Sequence, residues 1–237
     1  MENHIPQHYI QDTRTTEQID AMVCSYMNKV YLWLAISMVI SAGAAIYVEN
    51  DVQLMLSVIE HRIAFCVGTL AIVLIMCFAA RKLTSGAMKT LLLIYSVMQG
   101  AVLSPFLHYY SNESLGVTFA CTAGMFGAMA MYGWVTKRNL SGLGRTLFML
   151  LIGLIIAIVA NRFIIGSSMM SLGISAAGVV IFALFTAYDF QMLKEEGAYI
   201  IDPVEREKGA VLGALNLYIN FYNIFLFLLR FLGSADD

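Results

Sequence analysis

Charge is what this chain has least of. Only 13% of its 237 residues are Asp, Glu, Lys or Arg, whereas 59% are hydrophobic; a soluble domain carries about 25% charged residues. Too few charges are left to cover a water-facing surface, which excludes a chain with much soluble mass and points to a membrane protein. The net charge of -2 and the lack of basic–aromatic patches give nucleic acid no footing. Cysteine is scarce too. Cys24, Cys66, Cys77 and Cys121 form no C-x-x-C and no zinc spacing, so neither a dithiol centre nor a bound cofactor is expected. Of three prolines, only Pro105 falls within an apolar run, where it is expected to kink the outer end of a helix. No inverted repeat or pair of broken helices suggests a transporter. Fifteen methionines, scattered without a water-facing array, read as soft packing.

Enzyme signatures are missing in the same way. His4 and His8 lie in the N-terminal tail, and His61 and His108 at the ends of apolar runs, so no serine–histidine pair within a bundle is expected. No H-E-x-x-H occurs. Intramembrane aspartyl proteolysis needs two membrane acids, and only one is present. The chain reads as a non-enzyme.

What is there is a set of long apolar runs. A spanning helix needs ~20 mostly apolar residues. Seven segments qualify: 30–48, 63–80, 91–108, 115–134, 146–164, 171–193 and 210–229. Lipid offers no hydrogen bonds, so each should be helical. The fold class is all-α: a polytopic membrane protein with a bundle of seven transmembrane helices. Eleven of the 14 basic residues fall on one side of these spans, which places the N-terminus in the cytoplasm. Residues 1–29 form a cytoplasmic N-terminal segment and residues 30–237 the transmembrane domain. Thr15 and Gln18 fit a capping box, and Ile19, Met22, Val23, Tyr26 and Val30 follow at helical spacing. They predict an amphipathic lead-in helix, or equally an extension of the first span. Residues 194–209 read as a solvated loop. Small residues at Ser37, Ser41 and Ala45, at Gly124, Gly127 and Ala128, and at Gly153 and Ala157 are candidate packing stripes.

Asp189 is the only carboxylate inside the seven spans. An acid at bilayer depth costs ~3 kcal/mol or more, so it is a functional candidate. Ser175, Gly178, Phe182, Thr186 and Asp189 share one face of span six. On span seven, Asn216, Asn220 and Asn223 form a polar stripe that is too costly to face lipid. Asp189 is expected to meet this stripe at Asn216 or Asn220, with Gln99, Ser96 and Ser104 of span three as further contributors. The pair is either a polar staple between helices or a gate in an ion path. Arg81 or Lys82, ending span two, could pair with Asp189 and close the mouth. Either is equally well an ordinary cytoplasmic base.

Three segments resemble the Bax-inhibitor transmembrane family: TAGMFGAMAMYGWVTKRNLSGLG (122–144), FTAYDFQMLK (185–194) and LGALNLYINFYNIFLFLLRFLG (212–233). The first is most similar to bacterial members, which implies the bacterial inner membrane. The resemblance implies a pH-sensitive calcium leak. In it, aspartates on spans six and seven share a proton, and an arginine ending span two latches the closed state. Asp189 then corresponds to the span-six aspartate, a ligand for passing calcium, and Arg81 to the latch. The family's LYxDF reads LYINF here, so Asn220 stands where the second aspartate is expected. An Asp–Asn pair lacks the like-charge coupling of two acids. The expected function is a pH-modulated cation leak whose gating is weaker or acid-shifted. The alternative implied by bacterial members is a regulator that binds a membrane-anchored ATP-dependent protease through residues 1–29. The bilayer is the constant partner.

Overall fold

The computed structural model describes residues 14–233. These form eight α-helices and no strand: α1 (Thr16–Glu49), α2 (Val52–Glu60), α3 (Arg62–Phe78), α4 (Ser85–Tyr109), α5 (Asn112–Val135), α6 (Ser141–Ala160), α7 (Ser168–Tyr199) and α8 (Pro203–Leu232). Local sequence sets the starts. Thr15 and Gln18 complete the expected capping box, and Asp51, Thr84, Ser111, Ser167 and Asp202 each accept a first-turn N–H. Pro203 opens α8, where its missing N–H costs nothing. His4 and His8, with the rest of residues 1–13, lie outside the described residues.

Six helices are long and apolar enough to cross a bilayer. The pair α2–α3, bent by 73° at its break, makes a seventh crossing if it counts as one broken span and a re-entrant loop if it does not. The expected span 63–80 corresponds to α3, whose 17 residues reach ~26 Å, just short of the ~30 Å hydrocarbon layer. The all-α, multi-span architecture follows. One open choice is decided and two local expectations are revised. First, α1 is unbroken from Thr16, so of the two readings given for residues 16–29 the extension of the first helix is the one observed. Second, the solvated loop shrinks to residues 200–202, because α7 runs to Tyr199 and α8 starts at Pro203. Third, Gly124, Gly127 and Gly153 face open space. The fully buried α5 residues are Thr118, Thr122 and Gly133, with Phe126 and Met129 packed partly buried against the core. The stripe Ser37, Ser41 and Ala45 is buried as expected, and α4 continues as helix through Pro105.

The centre of the bundle is α8. It touches α1, α4, α5 and α7, and 15 of its 30 residues are buried, so it has no broad lipid-facing side. The outermost helices, α3 and α6, bury only two residues each. One core joins α1, α4, α7 and α8 around Tyr26, Met88, Leu92, Leu215 and Leu217. A second joins α6, α7 and α8 around Leu154, Phe182, Ile224 and Phe227.

The segment between α5 and α6 is fixed to α7 by polar contacts. The Gln191 side chain accepts from the Leu140 N–H at 2.7 Å and donates to the Arg138 carbonyl at 2.8 Å. Lys194 donates to the Trp134 carbonyl at 3.1 Å and lies 5.2 Å from the centre of its ring. These contacts satisfy backbone groups that helix ends leave open. They hold α7 still next to Asp189.

Candidate functional site

The site is built where α7 and α8 cross. Asn220 Nδ2 donates to Asp189 Oδ2 at 2.6 Å. Asn220 is 4% exposed and Asp189 half-buried. Asp189 lies ten residues before the end of α7, or about 15 Å along the axis. It sits deeper within its helix than the limits of the apolar run suggest. The face predicted for α7 is the buried one: Ser175, Gly178, Phe182 and Thr186 all point inward. A buried carboxylate loses its hydration, and the amide bond replaces part of it.

The asparagine stripe divides into three roles. Asn220 holds the acid. Asn223 turns back to the Ile219 carbonyl at 2.8 Å, which removes its donor from any pathway. Asn216, one turn from Asn220, is half-buried and has no hydrogen-bond partner among the described residues. Its amide remains available beside the pair. Gln99 does not reach Asp189. It donates to the Tyr95 hydroxyl at 3.0 Å, and its backbone carbonyl accepts from Tyr222 at 3.3 Å. The Tyr218 hydroxyl reaches Ser41 at 2.7 Å. Ser96 and Ser104 bond within their own helix. These polar groups tie α1, α4 and α8 together and are structural.

Arg81, the expected latch, is not brought to Asp189. It stands exposed in the turn after α3 and makes no ion pair among the described residues. In that turn Lys82 and Leu83 N–H groups bond to the Ala79 carbonyl, and a guanidinium there keeps its water at no cost. Lys82 is exposed in the same way.

A different arginine is fixed at the same end of the bundle. Arg206 donates to the carbonyls of Gly197 at 2.9 Å, Ile200 at 2.7 Å and Met22 at 2.7 Å. Its guanidinium lies 5.4 Å from the centre of the Tyr26 ring. The Tyr26 hydroxyl donates to Glu196 at 2.8 Å. Glu196 is seven residues beyond Asp189, two turns along one face of α7. Between them stands Leu193, 4% exposed and packed over Gly213. The order inward is therefore a polar rim of Glu196, Tyr26 and Arg206, then an apolar barrier at Leu193, then the Asp189–Asn220 pair. Sequence reasoning misses the rim because it assigns Glu196 and Arg206 to a solvated loop. The signal that could find it is the N-cap Asp202 followed by Pro203, which starts α8 early enough to place Arg206 on its first turns. Arg206→Ala removes the donor to three carbonyls. It is expected to cost about 2–3 kcal/mol, read as a lower thermal midpoint in detergent and faster amide exchange around residues 197–203.

Among the described residues no group of three or more His, Cys, Asp or Glu side chains could hold a metal. Asp189 is thus a single carboxylate with amide neighbours. The protease contact expected of residues 1–29 falls partly on residues 1–13, outside the described residues.

Comparison with known proteins agrees with this architecture. The sequence pattern of the family described as "Inhibitor of apoptosis-promoting Bax1" matches residues 23–237. The inner membrane protein YbhL of Escherichia coli K12 is 39% identical over 215 residues, covering 89% of this chain and 92% of its own. A Deinococcus radiodurans protein is 35% identical over 226 residues, covering 95% and 97%. The Rickettsia prowazekii protein RP147 is 33% identical over 229 residues, covering 95% and 96%. The name of the E. coli relative and the long apolar helices agree on a multi-pass protein of the inner membrane. The chain belongs to the Bax inhibitor-1 family.

Proposed function

We propose that the chain is a cation leak, permeable to calcium, in which the Asp189–Asn220 pair forms the inner ion contact and Leu193 the barrier above it. The observation that carries this reading is the only carboxylate within the spans, held at 2.6 Å by an amide from the central helix. A staple alone would not need an ionisable group, since two amides would bond as well at a lower desolvation cost. Calcium takes six to eight oxygen ligands. Asp189 with the amide oxygens of Asn216 and Asn220 supplies few of them. That suits a largely hydrated ion in transit better than a resident one.

The test is calcium entry into liposomes holding the purified protein. Asp189→Asn is expected to lower flux by about tenfold, since a neutral site forfeits the ion's counter-charge. Equal flux in wild type and Asp189→Asn, or no flux from either across the pH range, defeats the proposal. Arg81→Ala is expected to leave flux within about twofold, because an exposed base without a partner contributes little. A severalfold rise would restore Arg81 as a latch.

A further inference from the structure

At the end of the bundle opposite Asp189, the chain between α6 and α7 is wound as a single π-turn, Asn161–Ile165, closed by Gly166 at φ +65°. Such turns are uncommon and cluster at functional sites. Asn161 holds this one in shape. Its side-chain oxygen accepts from Ser167 N–H at 3.0 Å, and its amide donates to the Ser167 carbonyl at 3.2 Å and to Ser171 Oγ at 2.7 Å. Beside it lies a cavity of about 550 Å³ lined by Asn161, Arg162, Ser168, Ser171, Ser175 and Arg230, with Ile158, Leu172 and Ile174 as its apolar wall.

Three features of the lining point to a ligand. Two guanidiniums from different elements, Arg162 and Arg230, border one cavity, and no carboxylate does. Neither forms an ion pair among the described residues. Ser175 is 1% exposed, borders the cavity and has no hydrogen-bond partner among the described residues. Its hydroxyl, next to the cavity and unused by the protein, is available to a group bound there. Ser168 brings the first turn of α7 to the same place, where the N-terminal amides favour negative charge. Arginine pairs recognise phosphate oxygens with paired N–H donors.

The surroundings identify the carrier of that phosphate. Phe163 is 81% exposed, Ile164 84% and Met169 78%. Three such side chains around a polar cavity do not suit water, and they do suit the boundary between headgroups and acyl chains. We propose that this cavity binds the phosphate group of an anionic phospholipid, with Arg162, Arg230 and Ser175 on the headgroup and Phe163, Ile164 and Met169 among the chains. Arg230 also borders a second cavity, beside His108 and Tyr110, so a lipid bound here bears on the ends of α4, α6 and α8 together.

The experiment uses the full chain, stripped of lipid in a neutral detergent and titrated with phosphatidylglycerol, with retained lipid read by native mass spectrometry. The expected result is retention of phosphatidylglycerol over phosphatidylcholine, weakened at least about fivefold in the double variant Arg162→Gln/Arg230→Gln. Arg62→Gln, a neutralised exposed base at the same end but outside the cavity, should bind as wild type does. Both altered arginines of the double variant are exposed, so its fold is not at stake, and an unchanged thermal midpoint verifies this. Equal retention by wild type and double variant overturns the proposal. So does an equal loss in Arg62→Gln, which would mean general surface charge. Inorganic phosphate is titrated separately. Binding of it at millimolar concentration, with no retained phosphatidylglycerol, makes this a free-phosphate site and also overturns the proposal.

Discussion

Asn220→Asp is expected to replace a pH dependence set by the single proton of Asp189 with a steeper one set by a coupled pair, so that the flux of the variant departs from that of the wild type by about tenfold or more at one end of an acid-to-neutral series. The present pair joins one carboxylate to one amide at 2.6 Å. The amide does not titrate, so one proton governs one charge. With aspartate at position 220, two carboxylates would face each other at the same separation. They cannot both ionise cheaply there, and they titrate as a coupled unit. Over the range in which the pair holds a single shared proton, it stays bonded. Above that range the repulsion between two anions drives α7 and α8 apart. That motion involves the central helix, so it would be felt by every helix that α8 touches. The measurement is calcium entry into liposomes across a pH series. Parallel pH curves for wild type and Asn220→Asp would show that this crossing does not gate.

Gly133→Ala is expected to destabilise the protein by about 1–3 kcal/mol, although the same change elsewhere on its helix should not. At Gly133 a Cβ would run into the carbonyl oxygen of Ala187, a backbone atom that cannot turn aside. α5 would have to lift off α7 two residues from Asp189. At Gly127, on the same helix, a Cβ meets nothing. There alanine relieves the entropy cost of a helical glycine and should be neutral or stabilising by up to ~1 kcal/mol. The sign therefore differs between the two positions. Thermal unfolding in one detergent decides the matter, and a midpoint for Gly133→Ala equal to that of Gly127→Ala would mean that α5 and α7 are free to separate. Flux through Gly133→Ala should change as well, since Gly133 sets the distance at the level of the pair.

Part of this architecture is legible in the residues alone. Long apolar runs dictate helices because lipid leaves the backbone no other partner, and each expected span falls on a helix. The capping box at Thr15 is readable because its spacing is local. The meeting of Asp189 with the Asn stripe is readable because both are too polar for lipid. The choice of Asn220 over Asn216 is not, since it depends on how α7 and α8 cross. The bend between α2 and α3 escapes a reading by hydropathy because Val52–Glu60 is short and apolar, a pattern that fits an interfacial turn or the end of a span equally well. Glycine stripes mislead on α5 and α6. Spacing alone says which residues share a face and not which face meets protein. The rim of Glu196, Tyr26 and Arg206 joins residues about 170–180 positions apart, and no local pattern encodes that.

The placement of α8 at the centre has a consequence for biogenesis. It follows every other described helix in the chain, so α1, α4, α5 and α7, which it touches, leave the ribosome before it exists. Until then Asp189 lacks its amide, Ser41 lacks its tyrosine, and the early helices enclose a gap. Insertion of α8 must either thread a preassembled ring or wait beside a loose one. On the second route, release of α8 from the insertion machinery is the event that closes the bundle.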